Sequence, residues 1–397
     1  MRYLTNDSTD PHWNMAFDET ALTALPSPEP VFYLWQNRPA VIIGRNQSAP
    51  AEVNLPYLEE HGIVLARRVT GGGAVYHDLG NLNYSFVGGV REMDELQPVQ
   101  LMAAALRSLG IPAEVSGRND ILVEGRKCSG YAKRLAGTRM MIHGTLMWNV
   151  DLAALSAALS VPGSKFDLSS RACREISSSA IASVRSKVCN LSEYLPGWTL
   201  EQFRANLYDY LSSGAAEDHS KPSPAATPVG CFATIPTLLR DRGRTRVLNG
   251  ASSAPTDRTP SFHGSSVEPV SPAFLEQVNA LADSKFRSWD WIHGRSPVTD
   301  FTASRKFPSC GTVRVHFSVR HGLLADVSFS GDFLGALSLD TPLPNDLCPA
   351  PPAGKTLPEA LNGTRFDPAI LSSVLTSLPV ASYFDGLTAA DLLSLFF

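Results

Sequence analysis

The chain has 397 residues, too many for one ordinary hydrophobic core, so two domains are expected. A hydrophobic fraction of 44% and a formal net charge of −4 describe a globular protein and argue against a dedicated nucleic-acid binder. Met1–Asp10 lacks an apolar leader, no apolar run is long enough to span a bilayer, and the six cysteines form no CxxC pair. The expectation is therefore a cytoplasmic protein with reduced thiols, without zinc signature, disulfide framework or membrane association.

The first stretch, Met1 to about Ser213, alternates helical and strand patterns. Asn14 can cap a helix that runs through Ala24, with Met15, Leu22 and Leu25 among its apolar positions. Strands are predicted over Phe32–Trp35, Val41–Gly44, Val64–Val69, Leu82–Val87, Ile121–Val123 and Met140–Val150. A helix over Gln97–Leu109 stops at Gly110. The fold class is α/β (α+β), with sheet topology left open. The second stretch, about 214–266, contains KPSPAATP and ASSAPTDRTPSFHGSS. Such a composition buries too little apolar surface to offset its ordering entropy, so a mobile insert is expected. Cys231–Val247 within it carries Ile235, Leu238 and Leu239, enough for a short docking element. The third stretch begins with a helix from about Ala273 to Phe286. Thr312–Arg320 alternates cleanly, His321-Gly322 reads as a turn, and Leu323–Phe329 returns as a hairpin partner. Helices over Pro368–Leu378 and Leu387–Phe396 complete a small α+β domain. The domain expectation is 1–285, catalytic and carrying the insert, then 286–397, accessory.

Four constellations carry chemistry. Arg67-Arg68-Val69-Thr70-Gly71-Gly72-Gly73-Ala74-Val75-Tyr76-His77-Asp78 places three glycines after a strand, where backbone can approach a ligand and N–H groups can line an anion site. The two arginines add positive charge and bidentate donors. The string is neither a Walker A loop nor GxGxxG, and a tight turn alone would also explain the triplet. Gly117-Arg118-Asn119-Asp120 precedes a short strand, followed by Glu124-Gly125-Arg126-Lys127-Cys128-Ser129-Gly130. Asp120 offers a hard oxygen ligand suited to Mg²⁺, Lys127 an ammonium that can reach a carboxylate or α-phosphate, and Glu124 an exposed turn. His143-Gly144-Thr145 interrupts an apolar strand, which suggests close approach to a ligand; a satisfied core histidine would explain it as well. Ile181–Val188 is a polar loop ending in two cations, which exposure alone could account for.

These strings, RRVTGGGAVYHDLGN, GRNDI, GRKCSGYAKR, HGTL and ASVRSKVCNL, resemble in this order the lipoate–protein ligase family within the biotin and lipoate ligase superfamily. The resemblance covers Met1 to about Ser213 and resumes over Trp289–Gly331, which looks like the family's small C-terminal domain; the insert has no counterpart. It implies a large mixed-sheet catalytic domain, use of ATP and Mg²⁺, and lipoic acid (or octanoic acid) as substrate. The implied acceptors are lipoyl-domain proteins: 2-oxoacid dehydrogenase E2 subunits and the glycine cleavage H protein. Lys127 would contact the substrate carboxylate and then the adenylate. Arg68, Thr70, Gly71, Gly72, Gly73, His77 and Asn81 would line the substrate and adenylate pocket, and Trp35 would sit near the distal, dithiolane end. Asn119 and Asp120 would serve nucleotide and magnesium. Arg134 and His143 would lie beside the acyl chain with Gly144 and Thr145, and Ser183, Val184 and Arg185 would close over the adenylate.

Chemistry agrees with those roles. Adenylation needs charge neutralised at two adjacent anions, and the acyl tail needs an apolar slot, for which Val75, Met140, Ile142 and Trp35 are candidates. Cys128 stands where the family more often has an aliphatic residue. It raises, with Cys173 and Cys189, the alternative of an octanoyl or lipoyl transferase that uses a cysteine thioester without ATP; none of the three has a histidine close in sequence. A non-catalytic scaffold for lipoyl domains is a further alternative.

Overall fold

The computed structural model describes residues 1–25, 29–116, 120–161, 173–178, 186–213, 268–343 and 354–397. The segment read as an insert, 214–266, lies outside them. So do Asn119, Ser183, Val184 and Arg185, and the side chain of Cys173.

The strands in chain order are β1 (Arg2–Tyr3), β2 (Val31–Trp35), β3 (Ala40–Ile43), β4 (Val64–Arg67), β5 (Val75–His77), β6 (Asn81–Gly89), β7 (Ala113–Ser116), β8 (Asp120–Val123), β9 (Arg126–Ala136) and β10 (Arg139–Met147). They continue with β11 (Cys173–Ser178), β12 (Thr299–Phe307), β13 (Gly311–Arg320) and β14 (Leu323–Gly331). The large sheet is mixed, in the order β1-β2-β6-β10-β9-β8-β7; β4-β3-β5 form a three-stranded sheet, and β11-β12-β13-β14 a third. The hairpin at His321-Gly322 is present, with positive φ at both residues, 52° and 77°.

The large sheet separates two cores because strand side chains alternate between its faces. Leu82, Tyr84 and Phe86 of β6 join Met140, Ile142 and Leu146 of β10 under the helices Gln97–Ser108 and Leu200–Ser212. Val87 and Met141 face the other way, with Tyr33, Trp35 and the helices Pro11–Ala24 and Pro272–Leu281. This corrects the expected slot lining. Met140 and Ile142 turn away from Trp35, and Met141 is the β10 methionine that shares its face.

A second correction concerns the first helix, α1 (Pro11–Ala24). Its N-cap is Asp10, whose side chain accepts from the His12 N–H, and proline occupies the first turn. Asn14 lies inside the helix and is buried. Its Nδ2 donates to Ser8 O, Gln36 O and Asn37 Oδ1 at 3.0, 2.8 and 2.7 Å, so it ties three turns of chain together.

The third stretch is stitched to the first. Arg67 is fully buried and faces only neutral acceptors: Ile292 O (3.0 and 2.7 Å), Gly44 O (3.0 Å), Arg45 O (3.1 Å), Gln47 O (2.7 Å) and Ser296 Oγ (2.9 Å). Phe286, Trp291 and Ile292 share a core with Phe17, Tyr33 and Trp35. In the other direction, β11 leaves the first stretch and pairs antiparallel with β12.

Candidate active site

Lys127 is aimed by a bulge. Asp120 pairs with Gly130 and Ile121 with Ser129, but Leu122 pairs with Lys127, which leaves Cys128 as an extra residue in β9. Leu122 and Asp120 lie on one face of β8, so the extra residue brings Lys127 onto the face of Gly130 and Asp120. The ammonium ends 2.7 Å from Asp120 Oδ1, with both side chains partly exposed. It also lies over Gly130, where a Cβ would stand 2.9 Å from Lys127 Cε and Nζ, so any larger residue there would displace the lysine.

That face continues across the sheet. Gly130 N donates to Thr145 Oγ1 at 3.2 Å, Thr145 is paired with Asn83, and Asn83 with Trp35. The row Trp35, Asn83, Thr145, Gly130 crosses four strands, so at an interstrand spacing of about 4.8 Å its ends are roughly 14 Å apart. Gly144, by contrast, is turned to the opposite face: a Cβ on it would meet the Tyr84 ring at 2.4 Å, and its smallness serves packing.

Beside this row runs a saturated polar network. Asp18, 1% exposed, accepts from His143 Nδ1 (2.6 Å) on one oxygen and from Tyr33 OH (2.6 Å) and Ser85 Oγ (2.8 Å) on the other. Ser85 Oγ in turn accepts from Trp35 Nε1 at 2.9 Å, and His143 Nε2 meets Thr70 Oγ1 at 2.8 Å. Both nitrogens of His143 are therefore bonded within the protein. Sequence reasoning found Trp35, Thr70 and His143 but missed Asp18, Tyr33 and Ser85.

The glycine loop is held by Arg68. Its guanidinium donates to Gly71 O (3.1 and 2.7 Å), Gly73 O (2.7 Å) and Ile42 O (2.9 Å). Burial lowers its pKa to about 10, which still leaves it charged at neutral pH. The expected free bidentate donor is thus an internal clamp that consumes loop carbonyls. Arg134 donates to Val69 O at 2.8 Å and pins the entry to the same loop.

His77 packs edge-on against Trp35, with ring centroids 6.1 Å apart. Burial, then the charge of Arg68, pushes its pKa down to about 3, so it is neutral. Asn14 Nδ2 donates to Asn37 Oδ1, so Asn37 presents its Nδ2 to His77 Nδ1 at 3.0 Å, which assigns the ring proton to Nε2. Three atoms in this corner are buried and without a partner among the described residues: His77 Nε2, Asn81 Oδ1 and Asn83 Nδ2. Asn81 Nδ2 donates to Asn83 Oδ1 at 2.9 Å. Unpaired polar atoms in a buried corner are costly, and they are groups that a ligand or an ordered water would satisfy.

Of the three candidate cysteines, the described side chains are those of Cys128 and Cys189. Cys128 is 0% exposed, its Sγ faces Ile121 O at 3.4 Å, and burial pushes its pKa up to about 12. Cys189 is buried and its pKa is also raised by burial. Among the described residues no three His, Cys, Asp or Glu side chains gather as a metal site, and no helix is long and apolar enough to cross a membrane.

Two solved structures share this fold. The bipartite lipoate protein ligase of Thermoplasma acidophilum matches with a TM-score of 0.53 at 24% identity, over 74% of this chain and 96% of that one. A lipoate-protein ligase A bound with ATP matches with 0.52 at 22% identity, over 74% and 98%. The fold is thus that of the lipoate ligases, a mixed-sheet body with a small C-terminal sheet domain. Residues 10–212 match the family model of the lipoyl protein ligase A/B catalytic domain, and residues 296–347 that of the bacterial lipoate protein ligase C-terminus. Lipoate–protein ligase 1 of Staphylococcus aureus is 33% identical over 84% of this chain and 86% of its own length. Lipoate-protein ligase LplJ of Bacillus subtilis is 29% identical over the full length of both. The chain belongs to the lipoate–protein ligase family and is an enzyme of that class.

Proposed function

We propose that the chain joins lipoate to ATP, releasing pyrophosphate, and passes the lipoyl group from the adenylate to a lysine of a lipoyl domain. The observation that carries this reading is the bulge at Cys128, which sets the Lys127 ammonium beside Asp120 at one end of a row whose other end is Trp35. A carboxylate drawn to Lys127 lays its tail along the row towards Trp35. Lys127 offsets charge while the carboxylate oxygen attacks the α-phosphate and pyrophosphate leaves. It stays in place as the acceptor amine adds to the acyl carbon and AMP departs. Asp120 suits Mg²⁺, which needs only one or two carboxylates when phosphate oxygens complete its shell, and Mg²⁺ there would neutralise the triphosphate.

A division near residue 285 remains the working domain boundary. The reducing cytoplasm suits the three buried free thiols Cys128, Cys189 and Cys310. The acceptor class draws support from the Thermoplasma acidophilum ligase, which belongs to a lipoylation system together with its E2 lipoyl domain. The thioester alternative loses support with a buried Cys128 whose thiol is protonated at neutral pH.

The test is the mass of an apo lipoyl domain incubated with the protein and lipoate, with and without ATP. One lipoyl group on one lysine, formed only with ATP and with release of AMP, is expected. Acyl transfer from a lipoyl or octanoyl donor without ATP would overturn the reading.

A further inference from the structure

We propose that Asn83 selects the acyl chain, favouring an acid that carries a hydrogen-bond acceptor at its far end, such as the dithiolane sulfurs of lipoate, over a plain alkyl acid such as octanoate. This rests on the ligase reading above and deepens it.

Asn83 is 1% exposed, and its Nδ2 is a buried donor without a partner. Its other amide atom is committed, because Oδ1 accepts from Asn81 Nδ2 at 2.9 Å. The free N–H is therefore held in one direction. Asn83 sits directly across from Trp35 on the same face, where facing Cβ atoms are about 5 Å apart, so whatever touches the indole from that face is within reach of the amide. The row places this point two strands, about 10 Å, from the strand of Lys127, which is the far third of an extended eight-carbon acid held by its carboxylate. His77, whose Nε2 is the second free donor, packs edge-on against the indole in the same corner.

The consequence is asymmetric. A terminal methyl group pushed against the amide leaves the donor dry and unpaired, whereas a sulfur offers a weak acceptor and a polarisable contact. Ser85 and Trp35, which stand beside it, are bonded to Asp18 and to each other and cannot turn to either chain.

The experiment measures acid-dependent pyrophosphate exchange into ATP with lipoate and with octanoate, for the wild-type protein, Asn83→Leu and Asn83→Ala. The readout is the ratio of the two kcat/KM values, which does not depend on the fraction of each variant that is folded. The wild-type protein should favour lipoate, and both variants should lower the ratio by about tenfold, the discrimination expected of one buried hydrogen bond to a neutral group. Asn83→Leu should gain on octanoate in absolute terms. A wild-type ratio near one, or a ratio that neither substitution changes, overturns the inference while leaving the ligase intact. Absence of exchange with any acid in the wild-type protein would instead remove the ligase reading and the inference with it.

Discussion

Two buried polar corners lie side by side on one face of the large sheet and differ in one respect. Around Asp18 the donors of Tyr33, Ser85 and His143 end on the carboxylate, and Trp35 and Thr70 bond to Ser85 and His143. Around Asn83 the amides of Asn81 and Asn83 bond each other but leave a donor and an acceptor open, and His77 Nε2 is open beside them. Burial cannot tell these corners apart, and neither can polarity. Hydrogen-bond accounting can: a saturated network holds its own side chains in place, and an unsaturated one leaves polar atoms open to a further partner.

The comparison predicts opposite phenotypes. Asp18→Ala strands three buried donors and should cost about 3–5 kcal/mol in a urea or thermal unfolding experiment, against about 1–2 kcal/mol for Asn83→Ala, which strands one donor, Asn81 Nδ2, and removes an amide nitrogen that already lacks a partner. Equal losses would erase the distinction. Titration sharpens it further. His77 has its pKa pushed down to about 3, against about 6.5 for an unfolded histidine, so the unfolded chain binds a proton that the folded one refuses. Stability should therefore fall as pH drops from about 6.5 towards 3, by up to about 1.4 kcal/mol per pH unit from this residue. His77→Gln should flatten that slope in denaturation curves taken across the window, and an unchanged slope would mean that His77 does not stay neutral. Cys128→Ser should be the mildest change, costing about 1 kcal/mol, the burial of one hydroxyl whose shorter bond draws it back from Ile121 O, 3.4 Å from the present sulfur.

How much of this could be read from the sequence follows from the same contrast. The glycine loop, Lys127 and Asp120 stand out as candidates because their residue types are packed into short strings. The bulge does not, because a single extra residue leaves no mark in composition, yet it decides which face Lys127 joins. Asp18 and Ser85 were hidden inside apolar elements, and their partners stand far away along the chain, 125 residues in the case of His143 and Asp18. The slot lining went wrong by one residue on β10, and a shift of one residue in a strand exchanges the faces, so Met141 stands where Met140 and Ile142 were expected. Asn14 went wrong because a side chain that can cap a helix start can equally bond surrounding loops from within the first turns. Arg68 was expected as a ligand for substrate, and only the geometry reveals that its donors end on Gly71, Gly73 and Ile42.

In the proposed reaction the chemistry runs through the Lys127 ammonium and an adenylate, and the adjacent thiol is a packing residue. Lipoate-dependent pyrophosphate exchange into ATP, measured for Lys127→Ala and Cys128→Ser side by side, tests it most directly. Loss of a preorganised donor of this kind costs about 3 kcal/mol or more, so Lys127→Ala should lose on the order of a hundredfold or more in rate while its melting temperature stays near that of the wild-type protein. Cys128→Ser should retain exchange within about a few-fold, since its site is closed to substrate. Exchange that survives loss of the lysine and vanishes with the cysteine would contradict the account.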